Sequence, residues 1–207
     1  MSHNTWIHRL TRVTLVKPLV GTAVTPNHLT TLRLTSGLVA TVMLAVGDPF
    51  WRDVGAGMFL LAMLLDRADG DYARLTGQTS KAGHAYDLIS DALCNSLVFV
   101  GLGIGLRGSD HGLLAIPMGL AAGLAVGAIL WLVIKIEDLE GPRAAELGNV
   151  AGFDPDDAML IVPLTIWLGA SEGLLVAATV GAPGFALFFF WFFRRKLAAV
   201  KAAKRSG

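Results

Sequence analysis

Cysteine and charge are scarce in this chain. Cys94 is the single cysteine among 207 residues, which excludes an intramolecular disulfide framework and a Cys-rich zinc site. Charged residues make up 16%, against about 25% in average soluble domains. Seventeen Lys+Arg and 16 Asp+Glu leave a formal net charge of +1. The basic surface of a nucleic-acid binder is therefore lacking, and no nucleic-acid partner is expected. Low charge joined to 54% hydrophobic residues is the reverse of a disordered composition. The first 25 residues lack a continuous apolar core and a small-residue cleavage site, so they do not read as a signal peptide.

What is abundant is apolar sequence in long runs. A bilayer core about 30 Å thick needs roughly 20 mostly apolar residues in a helix. Gly112–Ile134 and Gly173–Phe193 carry no charge, and Leu29–Val46 carries only Arg33 near its start. Weaker runs lie at Val54–Leu65, Leu88–Leu106 and Ala158–Leu168. The expected fold is an all-α integral membrane protein with six transmembrane helices and an N-terminal interfacial amphipathic helix. Its parts are an interfacial arm at 1–25, a six-span domain at 26–193 and a basic tail at 194–207. In the arm, Trp6, Ile7, Leu10, Val13 and Val16 recur at helical spacing with Arg9 and Arg12 between them, which suits a helix lying on a membrane surface. Connectors 47–53, 107–111 and 169–172 read as short hairpins on one side. The N-terminus, the stretch 67–86, the loop 137–157 and the tail fall on the other. The tail carries Arg194, Arg195, Lys196, Lys201, Lys204 and Arg205, so the positive-inside rule makes that side cytoplasmic. In span four, Gly119, Gly123 and Gly127 form a small-residue stripe that serves either a homodimer seam or packing within one subunit.

Acidic residues mark one end of two spans. An ionised Asp at the centre of a membrane helix costs about 2.5–3.5 kcal/mol on insertion scales. Asp66 and Asp69 close the second run, and Asp87 and Asp91 open the third. Spacings of three and four put each pair on one helix face. Antiparallel helices would oppose the two faces, and converging carboxylates repel unless cations sit between them. Oxygen ligands of this kind suit Mg²⁺ or Mn²⁺. The spacing alone equally allows four independent, solvated helix-end residues.

The residues between them narrow the reading. Residues 66–91 follow D-x2-D-G-x2-A-R-x8-G-x3-D-x3-D at every fixed position: Asp66, Asp69, Gly70, Ala73, Arg74, Gly83, Asp87 and Asp91. This pattern resembles the signature of the CDP-alcohol phosphotransferase (CDP-alcohol phosphatidyltransferase) family of membrane enzymes. The segment T-P-N-H-L-T at 25–30 is similar to that family's approach to its first span. The resemblance implies two divalent cations, Mg²⁺ or Mn²⁺, on Asp66, Asp69, Asp87 and Asp91, with Asp91 also the general base. It implies nucleotide contacts from Asp66, Asp69, Gly70, Ala73, Arg74, Gly83 and Asp87. It further implies a CDP-linked donor, commonly CDP-diacylglycerol, a small alcohol acceptor, release of CMP, a homodimer and a bacterial-type inner membrane with the site facing the cytoplasm. Beside that resemblance, Gly70 and Ala73 lack bulk, Arg74 offers a fork of donors suited to phosphate, and Gly83 reads as the turn into span three. His84 reads as an ordinary cytoplasm-facing residue.

The acceptor is less determined. Arg33, Arg67, Lys81, Lys135 and Arg143 could meet a phosphorylated alcohol. Glu137, Asp138, Glu140, Asp154, Asp156 and Asp157 form an acidic rim that favours a neutral or cationic one. Two alternatives stay open. One is a CDP-choline or CDP-ethanolamine donor with a lipid acceptor. The other is a cation-coupled transporter, in which intramembrane acids mark an ion path.

Overall fold

The computed structural model describes residues 11–140 and 159–203, with side chains over 11–136 and 159–195. No strand occurs among the described residues. The fold is carried by α1 (Pro26–Val46), α2 (Pro49–Thr76), α3 (Lys81–Gly105), α4 (Ala115–Glu140), α5 (Ile161–Trp167) and α6 (Ser171–Ala203).

Four segments are long and apolar enough to cross a bilayer: Pro26–Val46, Lys81–Gly108, Gly112–Ile136 and Ser171–Arg195. They match the first, third, fourth and sixth expected spans. The second expected span lies inside α2, which has 28 residues. That helix also carries Arg52, Asp53, Asp66, Arg67, Asp69, Asp71 and Arg74, so its length is that of a span while its composition is amphipathic. The fifth expected span shows 7 helical residues in α5, about 10 Å at 1.5 Å per residue. Ala158 and the residues before it lie outside the described residues.

Local chemistry sets the helix ends. Thr25 is extended before Pro26 at the first helical position, and its backbone N–H donates to Nδ1 of His28, one half of a capping box. Gly47, at φ +89, ends α1. Asp48 then caps α2, its Oδ1 accepting from the backbone of Phe50 at 2.9 Å and Trp51 at 3.3 Å. The first hairpin is therefore shorter than the expected 47–53. Gly77, at φ +67, ends α2, and Ser80 caps α3 by accepting from Gly83 N at 3.0 Å. The expected cytoplasmic stretch 67–86 is thus mostly helix, because its polar residues sit on a helix that runs on past its apolar part. Gly83 lies inside α3, and Gly77 makes the turn assigned to it.

Glycine brings α3 against two neighbours at backbone distance. A Cβ on Gly101 would lie 2.4 Å from the Thr41 carbonyl oxygen, and one on Gly105 2.0 Å from that of Leu44. These two positions face α1. Gly103 faces α4, where a Cβ would fall 2.8 Å from Gly119 Cα. Cβ atoms on Gly119 and Gly123 would meet the carbonyl oxygens of Phe99 at 2.5 Å and Ser96 at 2.6 Å. The stripe on α4 is used within the subunit. Leu44, Phe59, Val98, Phe99, Leu102, Val162 and Ile166 fill the core around this contact.

The arm begins the described chain as a π-helical turn, Arg12–Val16, followed by the helical turn Lys17–Leu19. Val16 is fully buried, and it joins Leu29, Leu65, Ala68 and Tyr72 in a second apolar cluster, with Leu15 and Leu19 packed against it. Val13 is exposed. The Tyr72 hydroxyl donates to the carbonyls of Leu19 (3.1 Å) and Val24 (3.0 Å), fixing the arm to α2. Trp6, Ile7, Arg9 and Leu10 lie outside the described residues.

Candidate active site

The start of α1, the end of α2 and the start of α3 meet at one end of the molecule. The face of α1 turned inward there carries Thr30 and Arg33, three residues apart. Arg33 is 2% exposed. A guanidinium at that depth is sustained only by partners, and it has three. Nη1 lies 2.5 Å from Asp66 Oδ1 and 2.7 Å from Asp87 Oδ1, and Nη2 lies 2.5 Å from Asp91 Oδ1. Asp69, also buried, accepts a 2.8 Å hydrogen bond from the Thr30 hydroxyl. Asn95, one turn beyond Asp91, donates to Asp91 Oδ1 at 2.7 Å. Gly83 sits against α1 as well, where a Cβ would meet Asn27 Oδ1 at 3.2 Å. The Thr31 and Tyr86 hydroxyls, 3.0 Å apart, add a contact between α1 and α3.

The four signature carboxylates therefore converge, as the antiparallel arrangement requires. Ligand atoms of Asp66, Asp69 and Asp87 all lie within 4.8 Å of one another. An all-oxygen set at that spacing fits a hard divalent cation such as Mg²⁺ or Mn²⁺. Asp91 stands outside this trio and is joined to the cluster through Arg33. A cavity of about 20 Å³, the size of one water, lies beside it and is lined by Asp66, Arg67, Asp91, Asn95, Met63 and Met159 among others.

The remaining signature positions continue along α2. Gly70 and Ala73 are half-buried and Arg74 is exposed. Arg74 Nη2 lies 2.7 Å from Asp71 Oδ1, and a Cβ on Gly70 would stand 3.4 Å from Arg74 Nη1. Of the cations weighed for an acceptor, Arg33 sits in the carboxylate cluster, and Arg67 is buried, donating from Nη1 to the Met63 carbonyl at 3.2 Å. Lys81 is exposed, and Lys135 lies 6.0 Å from the Trp131 ring. Arg143 and the side chains of Glu137, Asp138, Glu140, Asp154, Asp156 and Asp157 lie outside the described residues. His84 is exposed.

Sequence reasoning did not assign Arg33, Thr30 and Asn95 to the carboxylates. A signal for Arg33 was present: a lone charge in an apolar run must have a partner. Nothing in the sequence named the partners, because Asp66, Asp87 and Asp91 all lie on other helices.

No curated protein matches the chain. The family model for CDP-alcohol phosphatidyltransferase matches residues 23–181, well over half of the chain and the whole of the region that builds the carboxylate cluster. On that match the chain belongs to the CDP-alcohol phosphatidyltransferase family, which transfers substituted phosphate groups from CDP-alcohols.

Proposed function

We propose that this transferase acts in phospholipid synthesis, moving a phosphatidyl group from CDP-diacylglycerol to the hydroxyl of a small alcohol and releasing CMP. The observation that carries the reading is the convergence of Asp66, Asp69, Asp87 and Asp91 at one end of α1, α2 and α3. Asp66, Asp69 and Asp87 are assigned to one divalent cation, Mg²⁺ or Mn²⁺, and Asp91 joins Asp66 and Asp87 for a second. Held by these carboxylates, divalent cations would supply charge neutralisation for a diphosphate and for the departing CMP. Asp91 accepts the proton of the acceptor hydroxyl. The acceptor oxygen forms its bond to the phosphorus that bears the diacylglycerol, the bond from that phosphorus to the CMP oxygen breaks, and CMP leaves with the electron pair. Asn95 donates to Oδ1 of Asp91, which orients the carboxylate. Gly70, Ala73 and Gly83 lend close approach for the nucleotide, and Arg74 a donor fork for phosphate.

Arg33 sits among three carboxylates, at the place read above for the donor's diphosphate, and Lys135 lies 6.0 Å from the centre of the Trp131 ring, so neither is positioned for a phosphate on the acceptor. Both facts favour a neutral or cationic acceptor over a phosphorylated one. Lys81 begins α3, and Lys135, Arg194 and Arg195 lie towards the C-terminal ends of α4 and α6, which in an antiparallel bundle supports a cytoplasmic site in a bacterial-type inner membrane. Six spans, with α2 and α5 completing the bundle, and a homodimer complete the proposal.

The test is CMP release from labelled CDP-diacylglycerol against neutral, cationic and phosphorylated alcohols, with Mg²⁺, Mn²⁺ or EDTA. Release that needs both a divalent ion and a neutral or cationic alcohol is expected. Release only from CDP-choline or CDP-ethanolamine would reverse donor and acceptor. Turnover undiminished in EDTA would overturn the metal assignment.

A further inference from the structure

Arg33 divides the carboxylate cluster in two. Its guanidinium touches Asp66, Asp87 and Asp91. Asp69 lies off that clamp, held by Thr30, and forms with Asp66 and Asp87 the trio whose ligand atoms lie within 4.8 Å. The three carboxylates assigned above to a second cation are the three that Arg33 already bridges.

Resting on that two-cation reading, we propose that Arg33 is a built-in occupant of the second cation position, displaced when the donor binds. Charge supports this. Four carboxylates against one guanidinium leave three net negative charges. One divalent ion on the trio reduces that to one, and a second would turn the cluster positive unless an anion arrives with it. Nor can a buried guanidinium simply leave its carboxylates, since an unpaired buried charge is costly. A nucleoside diphosphate supplies the missing partner, because its oxygens match the guanidinium fork. The second ion and the diphosphate therefore bind cooperatively, each easing the other by the same factor. Arg33 is thereby a positioning residue, keeping the Asp66, Asp87 and Asp91 carboxylates together before substrate arrives.

The experiment is a Mn²⁺ titration of the full chain in lipid nanodiscs, with free Mn²⁺ read by electron paramagnetic resonance, with and without CDP. Wild type is expected to take one ion without CDP, the second being weaker by about tenfold or more, and CDP should tighten the second by a similar factor. Arg33→Gln should take two ions of comparable affinity without CDP, a gain that loss of a merely structural residue would not produce. Arg33→Lys, which keeps the charge but lacks the fork, should fall between them and serves if Arg33→Gln does not fold. Two equal ions in wild type without CDP would overturn the proposal, as would second-ion affinity unchanged in the folded variants. Those results leave the metal assignment standing. Failure of wild type to bind Mn²⁺ at all would remove both.

Discussion

Two of the three helices that build the carboxylate cluster meet again, by opposite means. At one end α1, α2 and α3 are joined through side chains: Arg33 to three carboxylates, Thr30 to Asp69, Thr31 to Tyr86. Towards the other end α1 and α3 are joined through bare backbone, with Gly101 and Gly105 lying against the carbonyls of Thr41 and Leu44. In a bilayer, apolar side chains gain little by leaving lipid for one another, so close backbone packing carries helix association. Charged side chains carry it only where they satisfy one another. The glycine contact sets how closely α1 and α3 approach, and that spacing keeps the opposed carboxylates within reach of one another at the other end. The peripheral α6 shows the contrast: 11% of its apolar window is buried inside the protein, against 39% for α1 and for α3.

The most damaging change to the polar end should be functional. Asp91→Asn keeps the shape and the Asn95 neighbour but removes the proposed base. Turnover is expected to fall by about 10²–10⁴-fold, with folding and CMP binding retained. Undiminished turnover would take Asp91 out of the base role and reduce it to an Arg33 partner. At the glycine end the loss should appear as stability. Gly105→Ala would place a Cβ 2.0 Å from the Leu44 carbonyl oxygen, where backbone must move. Overpacking of this kind costs about 1–3 kcal/mol, read as a lower unfolding midpoint in detergent. Gly173→Ala is the control, since a Cβ there meets nothing within 4 Å. Equal midpoints for the two variants would show that the close contact does not hold the helices together.

The two ends were not equally legible in the sequence. The polar end announces itself, because acids are expensive near a bilayer and Asp66, Asp69, Asp87 and Asp91 repeat at helical spacing. Their convergence followed from joining two antiparallel helices by a short turn. The boundary of α2 did not follow. Asp69, Asp71 and Arg74 read as departure from the membrane, yet polarity governs which face of a helix is wet and not whether the helix continues. The glycine contact was half visible. Gly119, Gly123 and Gly127 fall four apart and stand out, whereas Gly101, Gly103 and Gly105 alternate between two partners. A stripe reveals itself on one face only, and α3 uses two.

A smaller effect tests whether polar contacts at the glycine end carry function as well. Arg107 follows α3, and its Nη1 donates to the carbonyls of Ala45 (2.9 Å) and Ile104 (2.8 Å). Those carbonyls belong to the last turns of α1 and α3, where acceptors lack helical partners and the dipole favours a cation. Arg107→Met keeps the unbranched apolar stem of the side chain and removes the donors. The hydrogen bonds are exposed, so the loss should be about 0.5–1 kcal/mol, a slight fall in the unfolding midpoint. CMP release and Mn²⁺ affinity should stay at the wild-type level, because Arg107 lies at the end of α1 remote from Arg33. A fall in Mn²⁺ affinity with the midpoint unchanged would mean that the two ends are coupled through α1. The glycine contact would then transmit changes to the carboxylates instead of only bracing the helices that carry them.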